Sequence, residues 1–189
     1  MIIDYSIFIG QFYVGLLVLW TLLIAFGYIF LKKDIFRLMR IVREPTMLAF
    51  ATASSESAYP KTMEALDKFG VPKRITSFVL PLGYSFNLDG SMMYMAFAVL
   101  FIAQAYNIDL SFSQQALILF TLMITSKGIA GVSRASIVVI ASTLAMFKLP
   151  EAGILLILAI DQFLDMGRTA TNVIGNSIAT AVIARTEGN

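Results

Sequence analysis

The sequence predicts an all-α membrane protein, with transmembrane helices and two re-entrant helical hairpins arranged as an inverted repeat. Three observations predict it. Of 189 residues, 58% are hydrophobic and 14% charged, against about 45–50% and about 25% in soluble domains. Two stretches share one pattern, an apolar arm, a tip of small polar residues and a returning arm, and enter from opposite faces. One long apolar segment near the C-terminus carries a single stripe of charged and amide side chains. The length allows roughly five membrane segments of about 20 residues in one helical domain.

Residues 6–31 form a continuous apolar run, long enough to span with some tilt. It follows Met1 to Tyr5, which has neither the basic region nor the cleavage site of a signal peptide, so a spanning helix is expected. Lys32, Lys33, Arg37, Arg40 and Arg43 follow, then Lys61, Lys68, Lys73 and Arg74. Basic residues collect on the cytoplasmic side, which puts the N-terminus outside and the C-terminus inside.

Between these clusters Pro45 to Pro60 is too short for two full crossings, and its centre, Thr52 to Ser57, is small and polar. Residues 45–72 are therefore read as a hairpin that enters from the cytoplasm and turns back, its backbone satisfied by protein or a watery cavity. Residues 75–107 read as a spanning helix broken between Pro81 and Ser91, where Gly83, Asn87, Asp89 and Gly90 interrupt the apolar pattern. Freed carbonyls beside a carboxylate suit hard cations. Residues 113–148 repeat the hairpin from the outer face, with Thr125 to Arg134 as tip.

Residues 150–185 form the striped helix. At about 100° per residue, Asp161, Asp165, Arg168, Asn172 and Asn176 fall within roughly 80° of one another. A charge at mid-bilayer costs about 2.5–3.5 kcal/mol on the insertion scale, so the stripe must face something polar. Packing glue is the bland reading; an ion or substrate path is the favoured one.

Absent residue types exclude several functions. With no cysteine there is no thiol nucleophile or thiolate metal site, and with no histidine any transferred proton must ride on a carboxylate. A serine hydrolase of the usual kind is excluded for the same reason. An intramembrane aspartyl protease using Asp89 with Asp161 or Asp165 is disfavoured, because Arg168 one turn from Asp165 stabilises the ionised form. Neither an enzyme nor a nucleic-acid binder is expected.

Four motifs in order, Ala53-Ser-Ser-Glu-Ser57, Asn87-Leu-Asp89-Gly-Ser91, Ser126-Lys-Gly-Ile-Ala-Gly-Val132 and Asp165-Met-Gly-Arg168 to Asn176, resemble the dicarboxylate/amino acid:cation symporter family over about residues 6–188. Members of that family are type cases of inverted-repeat transporters, so the resemblance and the repeat reading share one pattern. The resemblance implies an elevator-type symporter of the cell (inner) membrane, a homotrimer when full-length, surrounded by lipid. It needs no cofactor, only coupling ions, protons or sodium. Arg168 would clamp the substrate's side-chain carboxylate through its fork. Asp165 would hold the amino group, and Asn172 with Ser55 the α-carboxylate, while Ser91 lines the site and Val132 gates it. Cations, sodium among them, would sit at Gly83, Asn87, Asn172 and Asn176, at the carbonyls of Ser85 and Ser126, and at Asn87 with Asp89.

An ammonium needs a counter-charge in a dry site, and C4-dicarboxylate carriers tend to a neutral residue at the position of Asp165. The resemblance thus points to glutamate or aspartate ahead of C4-dicarboxylates. Asn176 stands where strongly sodium-coupled members have Asp, and Lys127 and Arg134 bring cations to the outer tip. All three weaken sodium binding and favour proton coupling, alone or mixed, on Asp89, Asp161 or Asp165. Chains of the family are about twice as long, so an N-terminal scaffold half is expected to be missing. The alternative is a truncated membrane subunit with a purely structural role.

Overall fold

The computed structural model describes residues 2–127 and 134–187, and these residues are all-α, with no strand among them. Helix α1 (Ile2–Leu31) leads through a turn at Lys32 (φ 52°) into α2 (Asp34–Thr52). Then follow α3 (Ser55–Phe69), α4 (Lys73–Phe86), α5 (Asp89–Ala105), α6 (Phe112–Thr125) and α7 (Ala135–Met146). A single 3₁₀ turn at Glu151–Gly153 precedes the short α8 (Ile154–Leu158) and the long α9 (Asp161–Glu187). Among the described residues, two helical stretches, Ile3–Leu31 and Lys73–Ala105, are long and apolar enough to cross a membrane.

Helix α1 is apolar all round but packs along one side only. Phe8, Phe12 and Leu16 are buried, with Phe8 stacked on Phe101 at 4.2 Å between ring centroids, whereas Ile7, Val14, Leu17, Leu22, Phe26 and Ile29 are exposed. Such an outer face matches lipid better than water. Helix α2 is amphipathic: Ile35, Leu38, Val42, Pro45 and Ala49 recur at three- and four-residue steps and bury one face. The helix begins in the basic cluster, ahead of Pro45, because charged residues fit the solvated face of that stripe. It ends where Ala53 turns left-handed (φ 48°), and Ser54 caps α3 by accepting from Ser57 N at 3.4 Å. The chain therefore reverses at Thr52–Ser54, and α2 lies against α3.

The interrupted helix breaks later than the position of Pro81 suggests. Pro81 sits inside α4, and the non-helical residues are Asn87 (φ −113°, ψ 69°) and Leu88 (φ −108°, ψ 63°). Likewise residues 150–185 are not one helix: the chain turns at Ala159–Ile160, and the striped portion starts at Asp161.

Helix α9 is the hub, contacting α1, α2, α3, α4, α5 and α8. Nearly every side chain from Leu164 to Val182 is buried. Two apolar clusters flank it. One joins Phe12, Tyr94, Ile102, Ile118, Ile140 and Leu164, and the other Ile35, Leu38, Leu66, Leu80, Ile174 and Ile178. Between them, at the level of Asp165 to Asn172, lies a polar layer.

Candidate functional site

All five stripe residues are buried: Asp161, Asp165, Arg168 and Asn172 are 0% exposed and Asn176 is 1% exposed. Their partners explain how this is tolerated. The Arg168 guanidinium pairs through Nε with Asp165 Oδ1, and its Nη1 donates to Ser91 Oγ at 3.0 Å. Asn172 Nδ2 donates to the same hydroxyl at 3.0 Å. Asn172 Oδ1 in turn accepts from the backbone N–H groups of Gly90 (2.9 Å) and Ser91 (3.3 Å). Those are orphan donors of the first turn of α5, whose own N-cap, Leu88, has no capping side chain. The approach requires glycine, since a Cβ on Gly90 would run into the Arg168 carbonyl oxygen.

At one end of the stripe, Arg134, which precedes α7, links to α9. Its backbone N–H donates to Asp165 Oδ2 at 2.9 Å, and its Nε lies 3.4 Å from Asp161 Oδ2, an ion pair without hydrogen-bond alignment. Asp161 Oδ1 accepts from Tyr94 OH at 2.5 Å. Two buried carboxylates thus face two guanidiniums, that of Arg168 buried and that of Arg134 on a side chain that is 64% exposed. Pairing of this kind is the condition for keeping charge buried.

Toward the other end of the stripe, Asn87 Nδ2 donates to Asn176 Oδ1 at 3.2 Å, and Gly83 leaves room for the Asn176 amide. Asn176 Nδ2 is buried and finds no hydrogen-bond partner among the described residues. Asp89 packs against α9 at Gly175, where an added Cβ would meet Asp89 Oδ2 at 2.5 Å. Asn87, Asp89, Ser126 and Lys127 line a cavity of about 270 Å³. Lys127 Nζ donates to the Phe86 carbonyl at 2.7 Å.

The fold therefore brings Ser91, Asp165, Arg168 and Asn172 into one cluster. It sets Asn87 and Asn176 against each other beside Gly83, and Asp89 with Ser126 on one cavity. Ser55 is fully buried at the start of α3, which packs on α9, and Ser85 is half-buried near the end of α4. Val132 lies outside the described residues. Sequence reasoning missed Tyr94, whose signal was a hydroxyl-bearing ring inside an apolar run, five residues after Asp89. It also missed Thr169, which donates to the Ala49 carbonyl at 2.9 Å and ties the end of α2 to α9.

The model of the sodium:dicarboxylate symporter family matches residues 1–186. The chain belongs to that family. It is accordingly a membrane protein of a transporter family. It is 53% identical over 155 residues to the proton/sodium-glutamate symport protein of Bacillus caldotenax, covering 82% of this chain and 37% of that one. Against the proton/glutamate-aspartate symporter of Escherichia coli K12 the identity is 51% over 150 residues, covering 79% and 34%. Against the C4-dicarboxylate transport protein of Paracoccus denitrificans it is 42% over 193 residues, covering 99% and 41%. The chain thus spans about two fifths or less of the length of these symporter-family relatives.

Proposed function

We propose that this chain is the transport domain of a secondary symporter that imports acidic amino acids, glutamate or aspartate, or C4-dicarboxylates, coupled to protons, sodium or both. The observation that carries the reading is the fully buried Arg168, held in place by Asp165 and Ser91 in a buried polar layer. A guanidinium preorganised at membrane depth exchanges one carboxylate for another at little cost, because the incoming carboxylate replaces the charge that Arg168 already pairs with. An amino acid brings an ammonium as well, which Asp165 takes up as Arg168 turns to the substrate. A dicarboxylate offers Asp165 no such partner. The names of the relatives, glutamate and C4-dicarboxylate carriers, bracket the same choice.

In this reading α2–α3 and α6–α7 are the two re-entrant hairpins, the first open to the cytoplasm and the second to the outside. Arg134 closes the outer hairpin on the site through Asp165 and Asp161. Cations occupy the ground around Gly83, Ser85, Asn87, Asp89, Ser126, Asn172 and Asn176. The domain moves as an elevator in the cell membrane, carried by a trimeric scaffold, and performs no covalent chemistry on its cargo.

The test is calorimetry of glutamate and succinate binding to the purified protein, with and without sodium, at acidic and neutral pH. Glutamate binding that strengthens at acidic pH without sodium is the expected result. Binding of neither solute in any condition overturns the reading.

A further inference from the structure

Helix α4 stops at Phe86, and its last carbonyls have no helical partner because Asn87 and Leu88 leave the helical conformation. A helix C-terminus carries partial negative charge, and α5 begins immediately with the carboxylate of Asp89. The gap between α4 and α5 therefore attracts a cation. A cation is already there. Lys127, from the end of α6, reaches across to donate its ammonium to the Phe86 carbonyl at 2.7 Å. Of the described residues that line the adjoining cavity of about 270 Å³, only Asp89 and Lys127 carry charge.

We infer that the Lys127 ammonium is a resident cation of the α4–α5 gap, standing where an alkali-metal ion would otherwise be needed. The inference rests on the transport reading above and deepens it by naming the residue that sets ion dependence. An ammonium is a compact point charge with three donors, so it satisfies carbonyl oxygens much as a small hydrated ion does. With Asp89 and Lys127 both in place the cavity is neutral, and a further monovalent ion meets like charge. Removing the ammonium leaves Asp89 as the only charged group among the described residues that line the cavity.

The experiment is uptake of labelled glutamate into liposomes containing the whole native gene product, in sodium chloride and in choline chloride. The parent is compared with Lys127→Met, Lys127→Gln and Lys127→Arg. Uptake by the parent and by Lys127→Arg is expected to change little between the salts. Lys127→Met and Lys127→Gln are expected to lose uptake about tenfold or more in choline and to recover it in sodium. Lys127→Gln keeps a donor for the Phe86 carbonyl without the charge, so sodium dependence in that variant separates charge from tethering. A second readout needs no transport: sodium should raise the melting temperature of the two neutral variants above its effect on the parent. Neutral variants that behave like the parent in both readouts overturn the inference and leave the transport reading standing. A parent already as sodium-dependent as Lys127→Met also overturns it. A parent that moves neither glutamate nor succinate in any salt overturns the transport reading and this one with it.

Discussion

Asn172 on α9 caps α5 from a distance: its Oδ1 accepts from Gly90 N at 2.9 Å, supplying the first turn of a helix 82 residues away in sequence with an acceptor it lacks locally. An N-cap deletion costs about 0.5–2 kcal/mol. Asn172→Ala should therefore lower stability by about that amount, and should also release the Ser91 hydroxyl from one of its two donors. Thermal unfolding in detergent measures the first effect. A variant as stable as the parent would show that water or another group supplies the cap.

Gly90→Ala tests the same junction from the other side. Its new Cβ meets backbone, the Arg168 carbonyl oxygen, which cannot swing aside as a side chain can. The helices must separate locally, at about 1–3 kcal/mol for overpacking. Glutamate binding should fall together with the melting temperature, since Ser91 and Arg168 move apart.

Arg168 and Asp165 should separate substrate classes. Arg168→Ala should cost about tenfold to a hundredfold or more in affinity for both glutamate and succinate, because both lose a charge-assisted partner. Asp165→Ser should weaken glutamate by a similar factor and spare succinate, which has no ammonium to hold. Each single change also removes one half of the buried Asp165–Arg168 ion pair, costing about 3–5 kcal/mol of stability. Succinate binding by Asp165→Ser therefore doubles as the check that the variant folds.

Tyr94→Phe removes the hydroxyl that donates to Asp161 Oδ1 while keeping the ring in its apolar cluster. Asp161 is then left with Arg134 alone. The cost expected for an unsatisfied buried acceptor is about 1–3 kcal/mol. In the Asp161→Asn background the same change should cost less, and a double-mutant cycle by chemical denaturation reads the difference.

Asn176→Asp should introduce a negative charge beside Asn87 and Gly83, where the Asn176 amide nitrogen has no hydrogen-bond partner among the described residues. Sodium binding, followed with the radioactive isotope, should tighten by about tenfold on the scale of one added charge-assisted contact. No change in sodium affinity would remove Asn176 from the cation ground.

The one-dimensional pattern was enough for the stripe. Asp161, Asp165, Arg168, Asn172 and Asn176 share a face because helical spacing alone puts them there, and an apolar setting forces them inward. That α1 is long and apolar enough to cross a membrane was legible from composition in the same way. The site of the helix break did not. Pro81 suggests one, yet α4 runs through it, as membrane helices do when neighbours satisfy the freed groups. Asn87 and Leu88 leave the helix where α9 offers Asn176 to one side and Asn172 to the other. Local signals are silent on partners that distant.

Charge balance divides in the same manner. The residues alone required that two carboxylates and a guanidinium be neutralised, whatever the fold, because lipid solvates none of them. Which group completes the balance was decided by packing: Arg134, read from sequence as a tip cation near sodium, is folded onto Asp161 and Asp165. Lys127, read alongside it, goes instead to the Phe86 carbonyl. Both lie on the same stretch of chain, and only their placement against α4 and α9 gives them different electrostatic partners, since a side chain's charge is a property of the residue and its neighbour is a property of the fold.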